Sequence, residues 1–219
     1  MILRTTAFGS ALAVMIVTSL STAGTRTNTP TPAFQQEMQR NYEDLFKAAI
    51  ITGVADPNGI SMSLEQLLGA ANRNGLRRLN DQWVGELIQL RAQLIYLANT
   101  RTCASLWSGS VDRGFVPAIE TLEPQQQRLW AQIFDQAALA IINRTPARPA
   151  PTPEQIEPAL ARTMKQMAPP DLEALNEALA GSAQLTPDQE CGAARALYGN
   201  IARADRADAL TLTRAMFYQ

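Results

Sequence analysis

The reactive side chains of this 219-residue chain are few, because it contains two cysteines and no histidine. Without histidine there can be no Ser-His-Asp or Cys-His arrangement, no histidine general base and no histidine ligand for a metal or haem. The Gly-x-Gly-x-x-Gly, P-loop and Gly-x-Ser-x-Gly patterns are also missing from the sequence. The chemistry that remains rests on carboxylates, arginines and two thiols.

The two cysteines, Cys103 and Cys191, are 88 residues apart in the sequence. An even number of cysteines in an exported chain usually forms disulfide bonds, so we expect these two to pair. Zinc takes four ligands, and redox-active pairs use a close Cys-x-x-Cys spacing that this chain lacks. The cysteines therefore predict a structural crosslink, and we expect neither a metal nor a cofactor.

The segment 1–23 has the composition of an export signal. Arg4 precedes an apolar stretch over 7–20, and Ser21-Thr22-Ala23 supplies the small residues required for cleavage. Cleavage after Ala23 predicts a periplasmic or secreted protein. The alternative is an uncleaved anchor, but a spanning helix needs about 20 predominantly apolar residues. The apolar stretch is shorter and contains polar residues, so we expect no stable membrane insertion after cleavage.

The charge pattern argues against nucleic acid as a partner. The chain has a formal net charge of −1, and its densest basic cluster is Arg73, Arg77 and Arg78, near a helix junction. Binding to a phosphate backbone would need a basic stripe along a surface. A solvated turn and helix start explain this cluster better.

Apolar residues recur at helical spacing along most of the chain, after a Thr/Pro-rich lead-in at 24–32. No alternating strand pattern of useful length is present, so we predict an all-α fold: a single-domain bundle of about six or seven helices over 33–219. The predicted helices run from Phe34 to Gly53, Ser63 to Gly75, Leu79 to Leu97, Pro124 to Arg144, Thr152 to the Pro169-Pro170 pair, Leu172 to Gly181, and from Thr186 onward.

Four prolines between Arg144 and Pro153 predict an extended connector, because proline fixes φ and removes a hydrogen-bond donor. This connector, residues 144–153, is the best candidate for a domain boundary. A bond between Cys103 and Cys191 would cross this connector. It would tie the last predicted helix to the end of the one predicted from Leu79 to Leu97. The sequence therefore predicts one disulfide-stapled domain.

The candidate interaction surface lies in the segment 104–118, where glycines and a proline break the helical pattern. Trp107, Arg113 and Phe115 belong to this segment, and aromatic and arginine side chains are the usual anchors of protein interfaces. The alternative is that Trp107 and Phe115 close the end of the bundle.

These features predict an exported helical binding protein, such as an envelope adaptor or an inhibitor or immunity protein. Its partner would be another envelope or secreted protein. The alternative is a histidine-independent exported enzyme that uses glutamate and arginine on a cell-wall sugar or a small anion. Such an enzyme would need a buried glutamate with a raised pKa as its acid. The sequence does not indicate which residues would be catalytic.

Overall fold

The computed structural model describes residues 31–56, 62–107, 114–180 and 185–218, and from Thr31 onward the chain forms one compact unit. The described residues form helices and no β-strand, which confirms the all-α prediction. The predicted signal peptide lies outside these ranges. Within them, no helix is both long enough and apolar enough to span a membrane.

The number of helices was underestimated from the sequence. The described residues contain eleven α-helices and one short 3-10 turn, Leu76–Arg78, instead of six or seven helices. The α-helices are α1 Ala33–Arg40, α2 Tyr42–Ile51, α3 Leu64–Gly75, α4 Asp81–Leu97, α5 Thr100–Trp107, α6 Phe115–Glu120, α7 Pro124–Ile142, α8 Pro153–Lys165, α9 Pro169–Leu179, α10 Pro187–Arg203 and α11 Arg206–Met216.

Two predicted helices are each divided in the structure. Asn41 separates α1 from α2, and its N–H donates to the Glu37 carbonyl oxygen at 3.0 Å. Asp205 begins α11, because its carboxylate accepts hydrogen bonds from the N–H groups of Ala207 and Asp208, both at 3.0 Å. Asn and Asp side chains compete for backbone hydrogen bonds, so they favour helix ends over helix interiors.

Short helices also occupy most of the described part of 104–118, which was predicted to be irregular. Residues up to Trp107 belong to α5, and those from Phe115 onward belong to α6. A helix of six or eight residues has too few turns to show a repeated apolar spacing. For the described residues of this segment the prediction was wrong for this reason.

The Pro169-Pro170 pair starts a helix and does not end one. α8 ends at Lys165, and Pro169 is the first residue of α9. Proline suits this position because its fixed φ is already helical and its missing N–H would have no partner within the helix.

A buried polar group ties the N-terminal helices to α7. Gln127 on α7 accepts a hydrogen bond from the Phe34 N–H at 3.1 Å. Its amide nitrogen donates to the carbonyl oxygens of Glu120 at 3.0 Å and Leu122 at 2.8 Å. Next to it the Trp130 ring packs edge-to-face on Phe115, with the centroids 5.5 Å apart. The start of α1, the end of α6 and the start of α7 are therefore held together around one amide.

The Pro-rich connector runs extended and is held against the rest of the bundle. The Arg148 N–H donates to the Arg77 carbonyl oxygen at 2.9 Å, and the Arg78 guanidinium donates to the Thr145 carbonyl. The Arg77 side chain donates to the Phe217 carbonyl at 2.6 Å. Two arginines of the basic cluster therefore bind backbone carbonyls of the chain itself. These contacts hold the connector against residues from both halves of the domain.

Cys103 on α5 and Cys191 on α10 form the expected pair. Their Sγ atoms are 2.09 Å apart, which is disulfide distance, and both side chains are buried. The pair links two helices that lie on opposite sides of the connector in the sequence.

Candidate functional site

A groove of about 600 Å³ opens between α4 and α10, with contributions from α7 and α9. Its walls combine small, polar, charged and exposed apolar side chains. The residues that line it are Gln89, Ala92, Gln93, Tyr96, Leu97, Gln126, Asp171, Arg195, Gly199, Ala202 and Arg203.

Hydrogen bonds at both ends of the groove fix α4 and α10 side by side in antiparallel orientation. At one end Arg195 donates to the carbonyl oxygens of Ile95 at 3.5 Å and Ala98 at 3.3 Å. At the other end the Gln89 amide donates to the Ala202 carbonyl at 2.7 Å. The groove residues recur at three- and four-residue steps along each helix, so one face of each helix forms a wall.

The middle of the α10 wall lacks side-chain bulk because of Gly199. A Cβ atom built on Gly199 would have Arg203 Nη1 as its nearest neighbour, at 3.7 Å, which is an ordinary contact. The fold therefore has room for a side chain at this position. The glycine at this position leaves open space in the groove. Packing of the helices does not require a glycine there.

Apolar surface is exposed at the end of the groove nearest Arg195. Tyr96 is 75% exposed and Leu97 is 57% exposed. Leu97 is the last residue of α4, the helix that also carries Leu87, Leu90 and Leu94. The three leucines other than Leu97 are buried, but Leu97 is not. Large apolar side chains exposed side by side are typical of contact surfaces.

The groove carries more positive than negative charge. Arg203 Nη2 lies 3.9 Å from Asp171 Oδ2 and donates to Asn200 Oδ1 at 3.0 Å. The Asp171 carboxylate also accepts a hydrogen bond from Asn200 Nδ2 at 3.0 Å. Within the described part of the chain, no carboxylate lies at ion-pair distance from Arg195. With two arginines and one aspartate, the lining has one excess positive charge.

The predicted interaction residues lie elsewhere. Phe115 is only 3% exposed and packs in the core against Trp130, so its ring is not available on the surface. Trp107 is half-buried at the end of α5, packed against core residues. Arg113 lies outside the described residues. Neither Trp107 nor Phe115 lines the groove.

A raised pKa is found for one aspartate of α7 that does not line the groove. Burial raises the pKa of Asp135 on α7, and the nearby charge of Asp44 raises it further. Asp135 is not part of the groove. Among the described residues, no group of three or more His, Cys, Asp or Glu side chains lies close enough together to hold a metal ion.

The groove combines a hydrogen-bonding arginine, exposed apolar surface and open space, which suits binding more than catalysis. The sequence did not indicate the groove, because the lining residues come from four separate helices. Residues that are adjacent in the sequence do not form a recognisable binding motif there. Comparison of the chain with protein-family models, curated proteins and solved structures finds no match. Function is therefore inferred from the groove and from the sequence features alone.

Proposed function

We propose that this chain is an exported helical binding protein whose groove contacts another envelope or secreted protein. An envelope adaptor and an inhibitor or immunity protein are both roles of this kind. The observation that carries the proposal is the exposure of Tyr96 and Leu97 beside Arg195, at the end of an open groove. Tyrosine and arginine are among the residues that contribute most to protein interfaces.

Two features support export to the periplasm or the exterior. The segment 1–23 has the charge, apolar stretch and small residues of a signal peptide. Cys103 and Cys191 lie at disulfide distance, and such bonds persist mainly in oxidising compartments.

The alternative, a histidine-independent enzyme, has less support. A general acid must combine a raised pKa with a position beside the substrate. The groove contains one carboxylate, Asp171, and it already accepts a hydrogen bond from Asn200. The aspartate with a raised pKa, Asp135, lies outside the groove. Among the described residues, the aspartate with a raised pKa and the carboxylate that lines the groove are therefore different residues, whereas binding needs only the surface that is present.

Photo-crosslinking from within the groove tests the proposal. A photoreactive phenylalanine analogue replaces Tyr96 in the full chain expressed in its native host, and crosslinked products are identified by mass spectrometry. We expect one protein species to be crosslinked. Adding Gly199→Leu should abolish that product, because the new side chain occupies the groove.

Gly85→Leu is the matched control. Gly85 lies on α4 with no atom within 4 Å of a built Cβ, and it does not line the groove. The crosslinked product should survive this change. Loss of the product in both variants or in neither, or no crosslinked protein at all, would contradict the proposed site.

A further inference from the structure

We propose that the groove binds a short acidic peptide segment in which a carboxylate side chain lies next to an apolar one. This inference rests on the proposed binding function and specifies the chemistry of the partner. The segment belongs to the partner protein and occupies the groove between α4 and α10.

The charges of the groove favour a carboxylate beside Arg195. A guanidinium carries five N–H donors, and Arg195 uses its Nε and Nη2 groups on the carbonyls of Ile95 and Ala98. The remaining donors are available to a ligand, and the two carbonyl acceptors are neutral. Arginine binds carboxylates through short, charge-assisted hydrogen bonds. A ligand carboxylate would supply the negative charge that the described residues do not place beside this side chain.

The apolar part of the ligand follows from what surrounds Arg195. Tyr96 and Leu97 expose most of their side chains at the same end of the groove. A free inorganic anion would leave this apolar surface in water. A peptide that carries an apolar residue beside the acidic one would cover the apolar surface and bind the guanidinium at once.

The length of the groove sets the length of the segment. Arg195 and Arg203 mark its two ends on α10 and are separated by eight residues, or about 12 Å of helix rise. An extended chain advances about 3.3 Å per residue, so three or four residues span the groove. The side-chain amides of Gln93 and Gln126, which are hydrogen-bonded to each other at 2.7 Å, offer polar groups to the backbone of such a segment.

Peptide titrations followed by NMR test this inference on the full chain. The probes are tetrapeptides blocked at both ends, so that their only carboxylate is a side chain: one set has Leu-Glu or Glu-Leu at its centre, and the other has Leu-Gln or Gln-Leu. We expect an acidic peptide to shift the amide resonances of Tyr96 and Gly199. The acidic peptide should bind about tenfold more tightly than its neutral counterpart. A difference of this size is typical of one charged contact.

Arg195→Gln should reduce binding of the acidic peptide to the level of the neutral one. Arg128→Gln is the matched control, because Arg128 is exposed on α7 and does not line the groove. This control should retain the preference for the acidic peptide. Equal affinity of acidic and neutral peptides, or shifts confined to residues outside the groove, would overturn the inference.

Competition with acetate distinguishes a peptide from a small anion. Displacement of the peptide by acetate at equal concentration would overturn the peptide assignment, and displacement only by a large excess supports it. The outcome is also separable from that of the proposed function. A protein crosslinked at Tyr96 together with no preference for acidic peptides would leave the binding function standing and reject this ligand class.

Discussion

The Asp208 carboxylate joins two helices through one arginine. Both Asp208 oxygens accept hydrogen bonds from Arg162 on α8, at 2.6 and 2.8 Å. Asp208 also lies in the first turn of α11, where negative charge is favoured by the helix dipole. The hydrogen bonds from Arg162 hold the pKa of Asp208 below its usual value. The charged form is therefore stabilised by folding.

The lowered pKa of Asp208 predicts a specific acid sensitivity. An aspartate with a lower pKa in the folded state adds stability above its unfolded pKa of about 3.9, and that contribution disappears as the pH falls through the folded pKa. Asp208→Asn should lower the free energy of unfolding at pH 7. The difference from the unmodified protein should shrink as the pH falls below about 4. Urea denaturation at a series of pH values measures this difference.

Asp188→Asn provides the comparison for this prediction. Asp188 is exposed and lies in the first turn of α10, so its substitution removes a charge at an equivalent helix position. A smaller loss of stability is expected there, because the helix-dipole contribution is lost without an ion pair between helices. Equal losses for the two variants at pH 7 would show that the contact with Arg162 contributes nothing measurable.

At the scale of helices, the N-termini that carry a capping box could be predicted from the sequence. Ser63 and Thr186 each accept a hydrogen bond from the backbone N–H three residues later, at 3.3 Å. Gln66 and Gln189 complete the reciprocal bonds at 3.0 and 2.8 Å. These pairs are local in sequence, so they could be recognised without tertiary information.

Other helix boundaries depend on context that the sequence pattern does not contain. The Pro169-Pro170 pair fits either the end of one helix or the start of the next, and only the early end of α8 at Lys165 distinguishes them. The break at Asn41 interrupts a continuous apolar spacing, so periodicity alone predicted one helix there. The count of six or seven helices failed at such positions and at the shortest helices.

Close packing of α3 on α7 depends on Gly75. A Cβ atom at Gly75 would lie 2.6 Å from both the Cβ atom and the carbonyl oxygen of Ala137, so the backbones would have to separate. We expect Gly75→Ala to reduce the free energy of unfolding by about 1 to 3 kcal/mol, as overpacking usually does. A lower urea midpoint with an unchanged m-value would measure this effect.

Gly69→Ala in the same helix is the control for Gly75→Ala. A Cβ atom at Gly69 has no neighbour within 4 Å. Alanine there should stabilise the protein by about 0.5 to 1 kcal/mol, since glycine loses more backbone freedom on folding. The two substitutions are chemically identical and should have opposite signs. A stabilising Gly75→Ala would mean that α3 and α7 can move apart without loss.

At the scale of the whole molecule, the sequence predicted the crosslink but not the groove. Pairing of Cys103 with Cys191 follows from the cysteine count, because no other partner is available in the chain. The groove depends instead on how α4 and α10 pack together. Tyr96 and Arg195 are far apart in sequence, and the exposure of Tyr96 cannot be read from an apolar run in which it neighbours buried Ile95. Trp107 and Phe115 were predicted to belong to an interaction surface because of their residue type, but both pack against the core.

The cysteine pair should contribute much of the stability of the described domain. The bond would close a loop of 88 residues and restrict the unfolded chain, for which the chain-entropy treatment gives about 4.6 kcal/mol. Domains of this kind are stable by about 5 to 15 kcal/mol in total. Replacing both Cys103 and Cys191 by alanine should therefore lower the urea midpoint strongly. The wall of the groove formed by α10 would lose its covalent link to α5.

Reduction of the unmodified protein separates loss of the bond from loss of the side chains. Both cysteines are buried, so the chain is unfolded in urea with reductant and refolded with reductant still present. The reduced protein should unfold at nearly the same urea concentration as the double alanine variant, and reductant should leave that variant unchanged. If the oxidised and reduced forms unfold at the same midpoint, the crosslink does not stabilise the fold. Packing of α5 on α10 would then hold the groove wall in place by itself.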